Sequence, residues 1–133
     1  MIFRTLTGSQ KRLSKPKKYS INWDAPSRSK RQFFVKSFLK KYWSQDLVFE
    51  EMPLVGTRLS FDFYNASQNI AIEVQGEQHL KYVPYFHGKA KSNFVSQIRR
   101  DNDKSTFCDL NSIKLLEVYP NDVLENTLLK SIS

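Results

Sequence analysis

The chain of 133 residues has few of the features that mark secreted, membrane or zinc-module proteins. Its single cysteine, Cys108, cannot form an internal disulfide and excludes zinc modules built from several cysteines. No apolar run approaches the roughly 18 residues that a membrane span needs. The first residues, Met1 to Thr5, lack the apolar segment of a secretory signal peptide. We therefore expect a protein of a reducing cytoplasm with no membrane partner.

Acidic residues are scarce in the first third of the chain. Residues 1–44 contain twelve Lys or Arg against the single acid Asp24, a balance of +11, whereas residues 45–133 have a balance of −3. Such a basic segment indicates either a polyanion partner or a solubilising, disordered tail. The interleaved Tyr19 and Trp23 favour nucleic acid over a membrane surface. A carboxylate excess downstream of a basic segment is typical of a metal-dependent nuclease.

The length and composition predict one domain preceded by a basic arm. A hydrophobic fraction of 40% and an aromatic fraction of 14% are sufficient for a packed core. Residues 1–26 show no clear period, and they are predicted to be flexible or to lie along DNA. Residues 27–133 are predicted to form the folded domain.

Apolar periodicity predicts the elements of that domain. A helix is expected from Ser27 to about Trp43, with Ser27 or Ser29 as N-cap and Lys36 among the residues off the apolar face. Its apolar face is expected to consist of Phe34, Phe38, Leu39 and Tyr42. A strand should follow over residues 46–52, then a hairpin, a helix over 92–110, a strand over 113–119 and a helix over 121–132. This order, α-β-β-β-α-β-α, indicates a mixed α/β sheet protein.

Two alternating segments predict the hairpin. In residues 58–64 the apolar positions are Leu59, Phe61 and Phe63, and in residues 70–75 they are Ile70, Ile72 and Val74. The turn composition of residues 65–69 joins the segments as antiparallel strands. Pairing Phe63 with Ile72 keeps both apolar sets on one face, because a slip of one residue would expose them.

This register places Asp62 directly opposite Glu73. Two unit charges about 5 Å apart repel by roughly 3 kcal/mol at an effective dielectric constant of 20. A proton, a basic neighbour or a metal ion must offset that repulsion, and a divalent ion completed by substrate phosphate fits Mg²⁺ chemistry. Alternatively, both carboxylates simply point into water from a solvated face, although acids are depleted in strands.

Asp62 followed by Ile72-Glu73-Val74-Gln75 resembles the signature of the PD-(D/E)XK nuclease superfamily. The extension Gly76-Glu77-Gln78-His79 and the helical segment Gln97 to Lys104 are similar to the branch near very-short-patch-repair endonucleases and phage homing endonucleases. The resemblance covers residues 27–122. It implies a restriction-endonuclease-like core with the order α-β-β-β-α-β, in the cytoplasm of a bacterial or phage-infected host cell.

The resemblance also implies roles for individual residues. Asp62 and Glu73 would bind the catalytic Mg²⁺ or Mn²⁺, and Gln75 stands where the superfamily has a water-orienting lysine. His79 would be a general base, or else a structural residue that caps the strand. Asp101 would complete the acidic site, on the helical face that it shares with Gln97 and Lys104, although that face could equally form a surface ion pair.

Branch members often carry a glutamate on the first helix, near the position of Lys30-Arg31-Gln32 in this chain. Its absence indicates either that Glu50 or Glu51 substitutes from the first strand, with Glu51 preferred, or that activity is weakened or lost. His87 is a further candidate near the site, or a solvated loop residue. Cys108 is expected to be core filler.

The expected partner is double-stranded DNA, with a homodimer suited to double-strand cleavage. Contacts to the phosphate backbone are sequence-independent and sensitive to salt. The expected nucleic-acid-binding residues are Lys15, Lys17, Lys18, Arg28, Lys30, Arg31, Arg99, Arg100 and Lys104. The sequence thus predicts a hydrolase, a metal-dependent DNA endonuclease of phage or homing type. The alternatives are a catalytically degenerate nuclease fold that binds nucleic acid, and a basic RNA- or ribosome-associated protein.

Overall fold

A four-stranded mixed sheet lies at the centre of the computed structural model, which describes residues 1–76 and 89–132. The sheet has the order β3-β4-β5-β6 and consists of β3 (Val48–Pro53), β4 (Ser60–Asn65), β5 (Ile70–Val74) and β6 (Lys114–Val118). The first three strands are antiparallel neighbours, and β6 is parallel to β5. A parallel neighbour requires a crossover, which α2 (Lys89–Leu110) supplies.

Two further helices and a small hairpin complete the domain. The helices are α1 (Lys30–Trp43) and α3 (Leu124–Ile132), and the hairpin pairs β1 (Ile2–Arg4) with β2 (Gln10–Arg12). A 3₁₀ helix spans Pro16–Tyr19. From residue 27 onward the predicted order α-β-β-β-α-β-α is confirmed. Within residues 1–76 and 89–132, no helix is long and apolar enough to cross a bilayer.

Both faces of the sheet are covered. One core, the helix-side core, joins Leu39 and Trp43 of α1 and Leu128 of α3 to Phe63 and Ile72 of the sheet. The other, the hairpin-side core, contains Phe3, Leu13, Phe61, Tyr64, Phe107 and Cys108. Burial raises the pKa of the Cys108 thiol to about 12, which leaves this cysteine without thiolate character at neutral pH.

The N-terminal segment is folded against the domain, so the expectation that residues 1–26 are flexible is wrong. Phe3 and Leu13 are buried in the hairpin-side core, and the Leu13 amide donates to the Met1 carbonyl at 2.9 Å. Further along, Ser20 forms a bridge with Phe49. Two buried apolar side chains are easily overlooked in a segment dominated by charge. Whether this segment contacts DNA stays a prediction.

The buried face of α1 differs from the predicted one. Ser29 is the N-cap and accepts a hydrogen bond from the Gln32 amide at 3.1 Å, as expected. However, Phe34 is 64% exposed and Tyr42 is 38% exposed, whereas Lys36 is only 1% exposed. Phe38 and Leu39 are buried as predicted, and Lys36 is buried beside them, where it contacts Glu50 at 2.8 Å. A buried polar face is not detectable from apolar periodicity.

Strand β4 changes face at Asp62. The predicted pairing of Phe63 with Ile72 is confirmed, but Phe61 belongs to the hairpin-side core and Phe63 to the helix-side core. The expectation that both aromatic rings share one face is therefore wrong. Opposite Asp62, Glu51 has a positive φ of 55°, and no ladder pair joins the two residues. The regular pairing of β3 with β4 is therefore interrupted at the position of the candidate carboxylate.

Candidate active site

Asp62 and Glu73 meet where the ladder between β4 and β5 ends. The last regular pair is Phe63 with Ile72. Beyond it, Oε2 of Glu73 accepts from the Asp62 amide at 2.8 Å, and Oδ2 of Asp62 accepts from the Val74 amide at 2.7 Å. The carboxylates thus replace the carbonyl acceptors of a continued ladder. One oxygen of each carboxylate therefore has a structural role.

The other oxygen of each carboxylate faces a basic side chain. Arg28 Nη2 lies 3.3 Å from Oδ1 of Asp62, and Lys104 Nζ donates to Oε1 of Glu73. Asp62 is 5% exposed and Glu73 is 6% exposed, so the interpretation that both simply point into water is wrong. A proton, a basic neighbour or a metal ion was expected to offset the repulsion between the two carboxylates. The structure shows a basic neighbour beside each of them.

Burial shifts the titration of both carboxyl groups. It raises the pKa of Glu73 to about 7, and the negative charge of Asp62 adds to that effect while Lys104 opposes it. Burial also raises the pKa of Asp62, whereas the hydrogen bond from the Val74 amide lowers it. Groups whose protonation is shifted in this way cluster at functional sites.

We expect the free energy of unfolding to fall as the pH rises from about 4.5 to 7. A raised pKa means that the folded state binds the Glu73 proton more tightly than the unfolded state does, so stability is lost as that proton leaves. The rise of the Glu73 pKa to about 7 corresponds to a loss of unfolding free energy on the order of 3 kcal/mol over this pH range. Urea unfolding at several pH values measures it. An identical pH slope in Glu73→Gln would contradict this assignment.

The two carboxylates form part of the wall of a polar cleft of about 530 Å³. Strands β4 and β5 supply one side and α2 supplies the other. The lining combines acids with four basic side chains; carboxylates can ligate a divalent cation, and basic side chains can bind phosphate. The lining residues are Arg28, Arg58, Leu59, Ser60, Asp62, Glu73, Val74, Gln75, Gln97, Arg100, Asp101 and Lys104.

The predicted shared face of α2 is confirmed. Gln97, Asp101 and Lys104 all line the cleft opposite the strands. Gln75 lines the cleft as well. It directly follows β5, and its backbone N–H donates to the Val118 carbonyl at 2.8 Å. Lys104 lies 31 residues from Glu73 in sequence, yet its ammonium reaches that carboxylate. A basic group thus stands beside Glu73, although the strand itself carries Gln75.

The first-strand acids have different partners. Glu50 contacts the buried Lys36, whereas Glu51 lies 3.7 Å from Arg28, the residue that also contacts Asp62. Of the two, Glu51 is therefore the nearer to the site, and its negative charge raises the pKa of Asp62. Arg31 Nη1 donates to the Gln75 carbonyl at 3.2 Å and so ties α1 to the cleft.

Several predicted residues lie elsewhere. Arg99 is exposed on α2 and does not line the cleft, and Lys30 is exposed at the first turn of α1. Lys15 precedes the 3₁₀ helix, which contains Lys17 and Lys18. His79 and His87 lie outside the described residues, so their predicted roles stay predictions.

Sequence reasoning overlooked Arg58 and Ser60 as cleft residues. Both belong to the alternating segment that leads to Asp62. Ser60 lies two residues before Asp62, on the polar side of the predicted strand, and that spacing was the available signal. Arg58 lies four residues before Asp62, and the same alternation places it on that polar side.

The donor set fits a divalent ion of the Mg²⁺ class. In the part of the chain that the structure describes, no group of three or more His, Cys, Asp or Glu side chains is arranged to hold an ion. Mg²⁺ nevertheless commonly binds through one or two carboxylates, with waters and substrate phosphates completing its shell. Asp62 and Glu73 supply hard oxygens, and in each the oxygen not bonded to an amide faces a cation.

Comparisons with known proteins identify viral relatives of unassigned function. The chain is 41% identical over 66 residues to uncharacterized protein 094L of Frog virus 3 (isolate Goorha), covering 50% of this chain and 43% of that protein. It is 38% identical over 60 residues to uncharacterized protein 307L of Invertebrate iridescent virus 6, covering 45% and 30%. A match to uncharacterized protein 033L of Invertebrate iridescent virus 3 has 28% identity over 88 residues, covering 66% and 45%.

The chain thus spans less than half the length of each of these relatives. No protein-family model matches it, and no solved structure matches it either. Similarity of this kind relates the chain to longer viral proteins without assigning it an activity.

Proposed function

We propose that this chain is a metal-dependent DNA endonuclease that hydrolyses phosphodiester bonds. One observation carries the proposal: two buried carboxylates from adjacent strands meet in a cleft that also presents Lys104 and Arg100. Burying two neighbouring acids costs free energy, and acids with pKa values raised in this way cluster at functional sites. The order of α1 to β6 supports the finer proposal of a restriction-endonuclease-like core.

Asp62 and Glu73 would hold the ion. When bound, Mg²⁺ or Mn²⁺ lowers the pKa of a coordinated water and polarises the phosphate. The chain's own groups act around it. Lys104 orients Glu73 and stabilises negative charge that develops on the phosphate, and Gln75 orients the attacking water through its amide. Asp101 adds an acid from α2, and His79 stays the predicted general base.

The remaining basic residues of the cleft bind the substrate. Arg28, Arg58 and Arg100 line it, and a guanidinium can donate two parallel hydrogen bonds to a phosphate. Such contacts hold the DNA backbone without reading its sequence. A single copy would cut one strand at a time, and a homodimer would suit a double-strand cut. We place this activity in a reducing cytoplasm.

A second function has its own supporting observation. Both carboxylates are paired with cations of the chain itself, Arg28 and Lys104, and Gln75 cannot act as a cation. A cleft neutralised in this way suits a degenerate nuclease fold that binds nucleic acid without cutting it.

Cleavage of supercoiled plasmid separates the two functions. Wild-type protein with Mg²⁺ or Mn²⁺ is expected to nick or linearise the plasmid, and EDTA is expected to stop the reaction. Nicked product alone indicates that one strand is cut, whereas linear product that appears without a nicked precursor indicates a concerted cut of both strands. If a panel of plasmids and phage DNAs is bound but never cut, the binding module is correct and the endonuclease is not.

A further inference from the structure

Three lysines of the N-terminal segment form a cationic surface with no acidic partner. Lys15, Lys17 and Lys18 are exposed, and among the described residues none of them forms an ion pair with a carboxylate. Unpaired like charges close together in sequence repel one another and do not stabilise a fold. A surface of this kind is suited to a polyanion.

A groove of about 250 Å³ lies between Lys18 and Arg28, and Tyr19 and Pro26 also line it. Lys17 is in the same 3₁₀ helix as Lys18, and Lys15 is the N-cap of that helix. Arg28 lines both this groove and the cleft, where it contacts Asp62. The groove and the cleft therefore meet at one side chain.

Each acid beside the groove contacts a hydrogen-bond donor of the chain itself. Glu50 is bound by Lys36 at 2.8 Å, and Glu51 accepts from Gln32 at 2.9 Å in addition to its contact with Arg28. Nearby, Asp24 pairs with Lys40 at 2.9 Å. Among the charged side chains that line the groove, Lys18 is thus the one that contacts no carboxylate of the described residues.

The segment that carries the lysines is held in place. Tyr19 packs against the hairpin-side core, Ser20 bridges to Phe49, and the Ile21 amide donates to the Val48 carbonyl at 3.1 Å. A surface that is ordered before binding loses less conformational entropy when it binds a ligand. The lysines are therefore presented by the fold itself and not by a loose tail.

We propose that a nucleic-acid strand leaving the cleft passes over Arg28 and follows this groove to Lys18, Lys17 and Lys15. We call this surface the basic track. It binds the phosphate backbone, on one side of the cleft. The path through the cleft rests on the proposed function, whereas binding at the lysines does not.

The first test compares two triple variants with the same loss of charge. In the track variant, Lys15, Lys17 and Lys18 are replaced by Gln; in the control, Lys41, Lys114 and Lys130 are replaced. The control residues are exposed, and Lys114 begins β6 at the end of the sheet opposite Glu73. Anisotropy of a labelled DNA duplex, titrated in EDTA at several salt concentrations, gives the dissociation constant.

The track variant is expected to bind on the order of 10- to 100-fold more weakly at low salt, and the slope of log Kd against log salt should decrease by about 3. The control variant should lose much less affinity for DNA. Equal losses of affinity in the two variants would overturn the proposed basic track. Equally tight binding of the wild type to anionic lipid vesicles would also overturn it.

A tethered probe tests the path. Since the only native thiol, Cys108, is buried, Lys18→Cys provides a single reactive site for an iron–EDTA label. Radical cutting of bound DNA is expected on one side of the hydrolysis position. Cutting on both sides equally would contradict the path. If the wild type never hydrolyses DNA but the track variant loses binding, the track stands and the proposed activity fails.

Discussion

Glu73→Gln is expected to lower the rate of plasmid cleavage by at least about 100-fold without unfolding the protein. The substitution keeps the volume of the side chain and one oxygen, but it removes the negative charge that would hold a divalent ion. Losing a group that only orients a metal ligand costs 10- to 100-fold, so losing the ligand itself should cost more. Initial rates with Mn²⁺, at enzyme concentrations spanning two orders of magnitude, measure the loss.

Two matched variants make that result specific. Asp62→Asn should be impaired to a similar degree, because it removes the other carboxylate of the pair. Glu117→Gln is the control: this residue is the neighbour of Glu73 on β6, but its carboxylate accepts from the Tyr119 hydroxyl and does not line the cleft. Full activity in Glu117→Gln is expected. Identical residual cleavage in all three preparations would indicate a contaminating nuclease.

Lys36→Ala is expected to destabilise the fold by about 3–5 kcal/mol. Its ammonium is buried and lies 2.8 Å from Glu50 and 2.9 Å from the Ala25 carbonyl. Removing the ammonium leaves the Glu50 carboxylate without its cation, and the Glu50 side chain is only 14% exposed. An uncompensated buried charge is strongly unfavourable. Urea unfolding at pH 7, followed by circular dichroism, gives the difference in unfolding free energy.

A double variant distinguishes the pair from simple loss of packing. Lys36→Met with Glu50→Gln removes both charges while keeping most of the volume, so it should be more stable than Lys36→Ala. Lys40→Ala is a surface control, since Lys40 and Asp24 form an exposed pair that should contribute little. If Lys36→Ala costs no more than Lys40→Ala, the buried pair has no role in stability.

Much of the β structure could be predicted, because alternation of apolar residues is a local property of the chain. The register of β4 with β5 followed from keeping Phe63 and Ile72 on one face, and the structure has that pair. The N-cap Ser29 and the order of elements after residue 27 were likewise predictable from caps, turns and periodicity. Each of these signals involves residues that are close in sequence.

The prediction failed where polar groups are buried. Periodicity assigned Lys36 to the polar face of α1, because the pattern does not include Glu50, 14 residues away. It placed Phe61 and Phe63 on one face, because the interrupted pairing of Glu51 with Asp62 leaves no trace in alternation. The N-terminal segment looked unstructured because charge obscured the two apolar residues, Phe3 and Leu13, that anchor it.

By itself, the sequence predicted that Asp62 and Glu73 are close together, since pairing Phe63 with Ile72 is a register that keeps the two apolar sets aligned and sets these acids opposite each other. Only the tertiary structure decided what surrounds them. Arg28 is 34 residues from Asp62, and Lys104 is 31 residues from Glu73. Contacts over such separations depend on how α1 and α2 pack on the sheet, and local patterns carry no information about that packing. The charge balance of the site is therefore a property of the fold.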